Sequence, residues 1–346
     1  MRRKNRFRLL ALSASLALCL AGCAPSQGEA QRHTKELFAM GTSMRLTAYG
    51  DQAGAALDEA QSRIAERETL WSATDEGSEI YQINHSGGQP VPIHPETEEL
   101  LRFALKMAED TGGALDPTIY PLVEAWGFAG GDDRVPPAEE IQALLSLVGY
   151  EDVALENHMV ALPEGMQLDL GAVGKGYAGE LLADSFRDRG ITSALLDIGG
   201  NIQLVGGRPD GSPWRLGIKN PFGEGIFGIL EAEDQAVVTS GGYERYFTDA
   251  EGRRYWHILD PATGYPADRG LASVTIVADS GALCDALSTA VFVMGLTKGV
   301  EYWKANGGFD MLLMTQEREI YLTEGIEGRF ALDSSFAGRE IHVIRR

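Results

Sequence analysis

The chain has 346 residues, 23% of them charged, and a formal net charge of −20. So acidic a body excludes nucleic acid and a bare anionic membrane surface as partners held by long-range attraction. An anionic ligand must then meet a local positive group or a metal ion.

The first 22 residues read as a signal peptide. Arg2, Arg3, Lys4, Arg6 and Arg8 form a basic start without an acid, and Leu9 to Leu20 is an apolar run. That run is shorter than the ~20 residues of a spanning helix and fits a secretory apolar segment. It ends in Leu20-Ala21-Gly22-Cys23, which resembles a bacterial lipoprotein cleavage site. The resemblance implies cleavage before Cys23, lipid on its thiol, and a body held in the cell envelope on the extracytoplasmic face of the membrane. Removing five basic residues and no acid takes the charge from −20 to −25. Cys19 would leave with the signal and Cys23 would be acylated. Cys284 is then alone, expected as a buried small hydrophobe, with no intramolecular disulfide. Residues 23–32, with Pro25, Ser26, Gln27 and Gly28, are too poor in apolar groups to pack and read as a tether. Residues 33–346 are ample for a core of their own.

Leu37 to Tyr49 alternates as a strand pair with Gly41 at a bend. Ala53 to Leu70, Glu96 to Asp110 and Pro137 to Val148 have helical spacing, the second stopped by Gly112. Gln167 to Leu170 predicts a short strand, and Lys175 to Arg189 a helix stopped by Gly190. Strands are expected at Thr192 to Ile198, Ile202 to Val205, Trp214 to Ile218, Gly228 to Glu233, Gln235 to Ser240 and Ser273 to Ala278. Ser280 to Met294 predicts a helix stopped by Gly295. Phe309 to Met314, Ile320 to Thr323 and Phe330 to Leu332 suggest a terminal meander. Helices and strands mix without a regular βαβ beat, so the fold class is α+β.

Four segments carry chemistry. Asp169-Leu-Gly-Ala-Val-Gly-Lys-Gly176 lacks the Walker A spacing and the dinucleotide fingerprint. Its strand, glycine turn and helix start, with Lys175 in the first turn, suit an anion. A tight structural turn with a solvated lysine reads equally well. Asp285 and Thr289, four apart, share a helix face and offer oxygen ligands suited to Mg²⁺. An aspartate capping nearby backbone is the other reading. His257 precedes the Asp260-Pro261-Ala-Thr263-Gly264 turn, and the other histidines lack zinc spacing. Thr111-Gly-Gly-Ala-Leu-Asp-Pro-Thr118 is a glycine corner that exposes backbone.

In this order, with Ala39-Met40-Gly41-Thr42, Ser78-Glu79-Ile80, Asn84, Trp126-Gly127-Phe128, Asp197-Ile-Gly-Gly-Asn201, Ser240-Gly-Gly-Tyr243 and Arg245, the segments resemble the ApbE family of FAD:protein FMN transferases. The resemblance covers essentially the whole chain after the tether. It implies one T-fold-related domain of mixed, largely antiparallel sheets with packed helices. FAD is then the substrate: a threonine hydroxyl of an exported or membrane redox protein attacks its flavin-side phosphorus, and AMP leaves. Mg²⁺ falls to Asp285, Thr289 and the Ala172 carbonyl. FAD contacts fall to Met40, Thr74, Ala114, Leu115, Asp116, Asp169, Lys175 and Leu259. His257 is the candidate general base, with Asp169 and Asp260 as rivals; Lys175 and Asp169 complete the catalytic set. At Thr74 many relatives carry a tyrosine, whose stacking Trp71 is then expected to replace. At Ser288 some relatives carry an acid. An FAD pyrophosphatase and a flavin-binding lipoprotein without catalysis are the competing functions.

Overall fold

The computed structural model describes residues 31–346, and the chain enters the fold through a hairpin. The signal peptide, Cys23 and the tether to residue 30 lie outside the described residues. Strands Arg32–Ala39 and Thr42–Tyr49 pair antiparallel, Ala39 opposite Thr42. The first strand thus starts ahead of Leu37 and takes in Arg32, the last residue of the expected tether. Met40 and Gly41 between the strands both have positive φ, 49° and 69°. This is a type I′ turn, whose twist matches that of the strands it joins. Gly199 and Gly200 (φ 62° and 90°) make a second such turn between Ala194–Ile198 and Asn201–Val205. The two turns touch: a Cβ on Gly199 would lie 2.3 Å from the Thr42 methyl.

These four strands open a nine-stranded sheet. It continues through Ala236–Gly241, Leu271–Ala278, Asp310–Thr315, Ile320–Thr323 and Ile341–Ile344. Only the last pair is parallel, so the α+β, largely antiparallel expectation holds. Phe330–Leu332 does not complete a terminal meander. It pairs instead with Ile226–Ala232, the middle strand of a separate three-stranded sheet that ends in Trp214–Lys219. The Phe330 ring fits over Gly228, where a Cβ would clash at 2.2 Å, and packs against Phe227. Ile341–Ile344, which sequence pattern missed, takes the outer place in the large sheet; its residues are all half-buried, so no alternation marks them.

The helices are α1 (Ala53–Trp71), α2 (Glu79–Asn84), α3 (Pro95–Asp110), α4 (Tyr120–Ala125), α5 (Ala138–Leu145), α6 (Gly174–Asp188) and α7 (Gly281–Asn306). α2 and α4 are too short to show a 3.6-residue period, although Ser78 caps α2 by accepting from the Tyr81 N–H at 3.1 Å. Gln167 to Leu170 forms no strand beyond one parallel bridge, Ile119 to Gln167. Gly295 interrupts α7 (φ 77°, ψ 176°) without ending it. The helix resumes because Val300 and Trp303 still have the core to pack on. Cys284 is buried, as expected, and burial pushes its thiol well above the ordinary range.

Alternate residues of one strand divide the core. Ala236 and Val238 face the helices, and Val237 faces the three-stranded sheet. α7 lies against the large sheet and is apolar nearly all round because it is buried nearly all round. α6 crosses it at two glycines. A Cβ on Gly176 would lie 2.2 Å from the Gly281 carbonyl oxygen and 2.6 Å from the Asp285 Cβ. A Cβ on Gly281 would lie 2.5 Å from the Gly176 carbonyl oxygen. Backbone meets backbone here, so neither position has room to relax. Gly176→Ala should therefore lower stability by about 1–3 kcal/mol, the usual range of overpacking. Urea unfolding midpoints check this, and an unchanged midpoint would disprove the contact.

Candidate active site

The two glycine turns, the start of α6 and the first half of α7 surround a cavity of about 880 Å³. That is near the top of the ~300–1,000 Å³ usual for small-molecule sites, which suits a large ligand. Met40, Ala114, Leu115, Asp116, Asp169, Ala172, Lys175, His257, Leu259, Asp285 and Thr289 all border it. Segments as far apart as residues 40 and 289 are thus brought to one place.

Helix α6 starts at Gly174 without a side-chain cap from Val173, which leaves its first N–H groups to find other acceptors. One goes to α7: Gly176 donates to Asp285 Oδ2 at 2.9 Å. Both sequence readings of Asp285 are therefore partly right. It caps a helix with one oxygen and also borders the cavity. It is 4% exposed and has no ion-pair partner among the described residues. A buried carboxylate in that state wants a cation. Thr289 adds a hydroxyl one turn along. Among the described residues no three His, Cys, Asp or Glu side chains group as a metal site. One carboxylate, a hydroxyl and backbone oxygen match the sparse protein ligation of a magnesium ion that shares its coordination with phosphate.

Lys175 Nζ donates to the Gly171 carbonyl at 2.8 Å, and Asp169 accepts from the Gly171 N–H at 2.8 Å. Desolvation raises the Asp169 carboxyl above its ordinary range; the Gly171 hydrogen bond and the charges of Lys175 and Arg245 oppose it. His257 follows the short strand Arg254–Trp256. Its Nδ1 lies 3.1 Å from the Arg245 carbonyl. A carbonyl only accepts, so Nδ1 carries the hydrogen and Nε2 keeps a free lone pair. Burial lowers the imidazole to about 4, helped by the charges of Arg245 and Lys175. It is therefore neutral and able to accept a proton at neutral pH. Phe128 holds the ring edge-on at 6.4 Å.

Met40 borders the cavity in a left-handed conformation, uncommon for a side chain of its size. Glu68 Oε1 fixes it by accepting from the Met40 N–H at 2.7 Å. Asp116 reaches the cavity, yet its carboxylate is already engaged. It accepts from the Thr118 N–H at 2.8 Å, the Thr118 hydroxyl at 2.6 Å and the Tyr150 N–H at 3.2 Å. Its part is to hold the corner that presents Ala114 and Leu115. Leu259 is buried beside Trp126 in the small cluster beneath.

Three expectations are corrected: Thr74, Trp71 and Asp260 do not border the cavity. Thr74 is exposed and outside the cavity, held by Ser72 Oγ, which accepts from its N–H at 3.2 Å. Trp71 does not replace it: the indole is buried, donating to Thr97 Oγ1 at 3.2 Å and packed edge-on to Tyr177. Asp260 is no rival base, because Arg269 (3.1 Å) and the Ala262 N–H (2.9 Å) occupy its carboxylate away from the cavity. Ser288 is turned from the cavity toward Ser240 (2.8 Å) and the Asp285 carbonyl (2.9 Å). Ser240 itself does border the cavity, 3.5 Å from the Thr289 hydroxyl. Ser240, Asn201 and Arg245 were in the matching motifs but were not nominated. Their strand-end positions beside glycines were the available signal.

The sequence profile of the ApbE family matches residues 40–313. The chain belongs to the ApbE family. It is 34% identical to the FAD:protein FMN transferase of Klebsiella pneumoniae over 79% of this chain and 86% of that one. With the enzyme of the same name from Treponema pallidum it shares 31% identity over 92% and 94% of the two chains. Among solved structures, the ApbE protein of Thermotoga maritima superposes with a TM-score of 0.80 at 35% identity, covering 86% of this chain and 99% of that one. The flavin transferase ApbE of Vibrio cholerae superposes at 0.77 with 28% identity, covering 90% of this chain and all of its own.

The lowered His257 gives a pH expectation. Below about pH 6.5 the unfolded chain takes up a proton that the folded imidazole refuses until about pH 4. Its contribution to stability is thus present above 6.5 and lost as pH falls through that window. The His257 ring resonances in an NMR titration should show a midpoint near 4; a midpoint above 6 would contradict the burial.

Proposed function

We propose that the chain is a Mg²⁺-dependent FAD:protein FMN transferase that moves the FMN moiety of FAD onto a threonine hydroxyl of a redox protein. The carrying observation is the meeting in one cavity of a glycine-turn helix start, a buried carboxylate without an ion-pair partner among the described residues, and a neutral histidine. The names of the relatives support the reading.

The pyrophosphate is assigned to the start of α6, where Lys175 and the positive end of the helix dipole answer its charge despite the acidic body. Asp285, Thr289 and the Ala172 carbonyl would hold Mg²⁺, which supplies charge neutralisation on the pyrophosphate and the departing phosphate. His257 Nε2 takes the proton from the incoming threonine. A threonine oxygen–phosphorus bond forms at the flavin-side phosphorus, the bond between the two phosphates breaks, and AMP departs. Asp169, with its raised carboxyl, is the remaining rival for the proton. Ala114 and Leu115 line the FAD side of the cavity with Met40 and Leu259.

Cys23 is proposed to carry a lipid that holds the enzyme at the extracytoplasmic face of the membrane, beside exported or membrane redox acceptors. The Leu20-Ala21-Gly22-Cys23 motif supports this.

Incubation of the soluble body with FAD and Mg²⁺, with and without acceptor, should release AMP and leave FMN covalently on the acceptor. Asp285→Asn, which keeps an acceptor for the Gly176 N–H, should abolish both. FMN released free despite acceptor would make the protein a pyrophosphatase, and intact FAD a binding protein. Replacing the base should slow transfer by about 10²–10⁴-fold. His257→Asn should show that loss and Asp169→Asn a smaller one in single-turnover rates; the reverse order would make Asp169 the base.

A further inference from the structure

We propose that the acceptor protein docks on the free edge of the strand Trp214–Lys219, adding the extended segment that bears its threonine as a further strand beside the cavity. This rests on the transferase reading and deepens it by stating how the protein substrate is held.

The strand pairs with Ile226–Ala232 on one side and ends its sheet on the other. The register decides which backbone groups are free. In the middle strand, the Glu231 N–H donates to the Arg329 carbonyl, and the Phe227 carbonyl accepts from the Asp333 N–H. Residues 227, 229 and 231 therefore face Phe330–Leu332, and 228, 230 and 232 face Trp214–Lys219. Leu216 lies opposite Leu230 and Ile218 opposite Gly228, so both use their backbone groups inward. The register shifts between Ile218 and Lys219, but the Asn220 N–H donates inward to the Gly225 carbonyl at 3.0 Å, so Lys219 lies between two inward residues. Arg215, Gly217 and Lys219 direct their groups outward, where no strand among the described residues takes them.

That edge belongs to the catalytic cavity. Leu216, Gly217, Ile218 and Lys219 border it in succession. Successive side chains of a strand point to opposite faces, so a cavity touched by four residues in a row meets the strand at its edge. Asp285, Thr289 and His257 border the same cavity, and a chain added here runs beside the reacting groups. Asn201 is an independent sign of a ligand. It also borders the cavity, is 5% exposed, and its Nδ2 has no hydrogen-bond partner. A buried amide in that state is costly until something completes it. Outward N–H and C=O groups in alternation are what an extended polypeptide recognises in strand addition. The charged residues Arg215 and Lys219 guard the edge against indiscriminate pairing.

The test compares Lys219→Pro, which removes one outward N–H and none of the ladder, with Lys219→Ala, which keeps it. The acceptor is the one that takes FMN in the assay above. Lys219→Pro should raise its KM about tenfold over Lys219→Ala, the effect of one main-chain hydrogen bond. Lys219→Ala is the reference, because it loses the same side chain and its ion pair with Glu244 (3.1 Å) while keeping the N–H. Hydrogen exchange on the wild-type chain avoids any folding defect of the variant. An acceptor whose threonine is replaced by valine should slow exchange at the Gly217 and Lys219 amides. An acceptor KM in a folded Lys219→Pro no higher than in Lys219→Ala, or no protection of these amides, overturns the docking while wild-type transfer still stands. Protection that grows with enzyme concentration alone assigns the edge to a second copy and overturns it too. No transfer by wild type overturns the transferase reading and the docking with it.

Discussion

The site depends on a close backbone-to-backbone contact, the crossing of α6 and α7 at Gly176 and Gly281. With no side chain on either helix, the backbones approach until the Gly176 N–H reaches Asp285 at 2.9 Å. A methyl group on either glycine would push the two helices apart and move Lys175 away from Asp285 and Thr289. The proposed anion-binding turn and the proposed cation ligands come from segments more than a hundred residues apart. This contact sets their distance, and the core around it makes it rigid, because packed interiors yield little. The two type I′ turns do the same for the opposite wall, where Thr42 lies against Gly199.

Electrostatics then follow from burial. A strongly acidic chain cannot draw FAD by its overall field. The positive influence is local: the free end of α6, Lys175, and Arg245, which donates to the Phe128 carbonyl. The same cations help keep His257 unprotonated. The groups proposed to receive phosphate thus also keep the proposed proton acceptor neutral. Asp169, between them, is pushed the other way by desolvation.

Much of this was legible in the sequence. Helical period marked α1, α3, α5 and α6 to within a few residues, and glycine pairs marked the turns. Eleven of the nominated site residues border one cavity. What failed did so for tertiary reasons. Gly295 has the signature of a helix stop, but the apolar residues after it had the core to bury against, so the helix resumed. Phe330–Leu332 alternates like a meander strand, but Gly228 offered its ring a place on another sheet. Asp260 lies between Leu259 and Pro261, which border the cavity, and only side-chain direction excludes it; Thr74 belongs to a stretch, residues 44–103, of which nothing borders the cavity. Ser240 and Asn201 were missed because small polar residues at strand ends look like ordinary turn composition.

One oxygen of Asp285 serves the architecture by accepting from the Gly176 N–H, and the proposed cation is the other use of the carboxylate. The hydrogen bond that joins α6 to α7 needs only an acceptor, while cation binding needs a charge. An asparagine would satisfy the first and forfeit the second; an alanine would forfeit both and leave a buried N–H unpaired, at a cost of about 1–3 kcal/mol. A single-base change in the aspartate codon can therefore silence such a protein without unfolding it. A flavin carrier or scaffold with this fold thus lies one substitution, at residue 285, from the proposed enzyme.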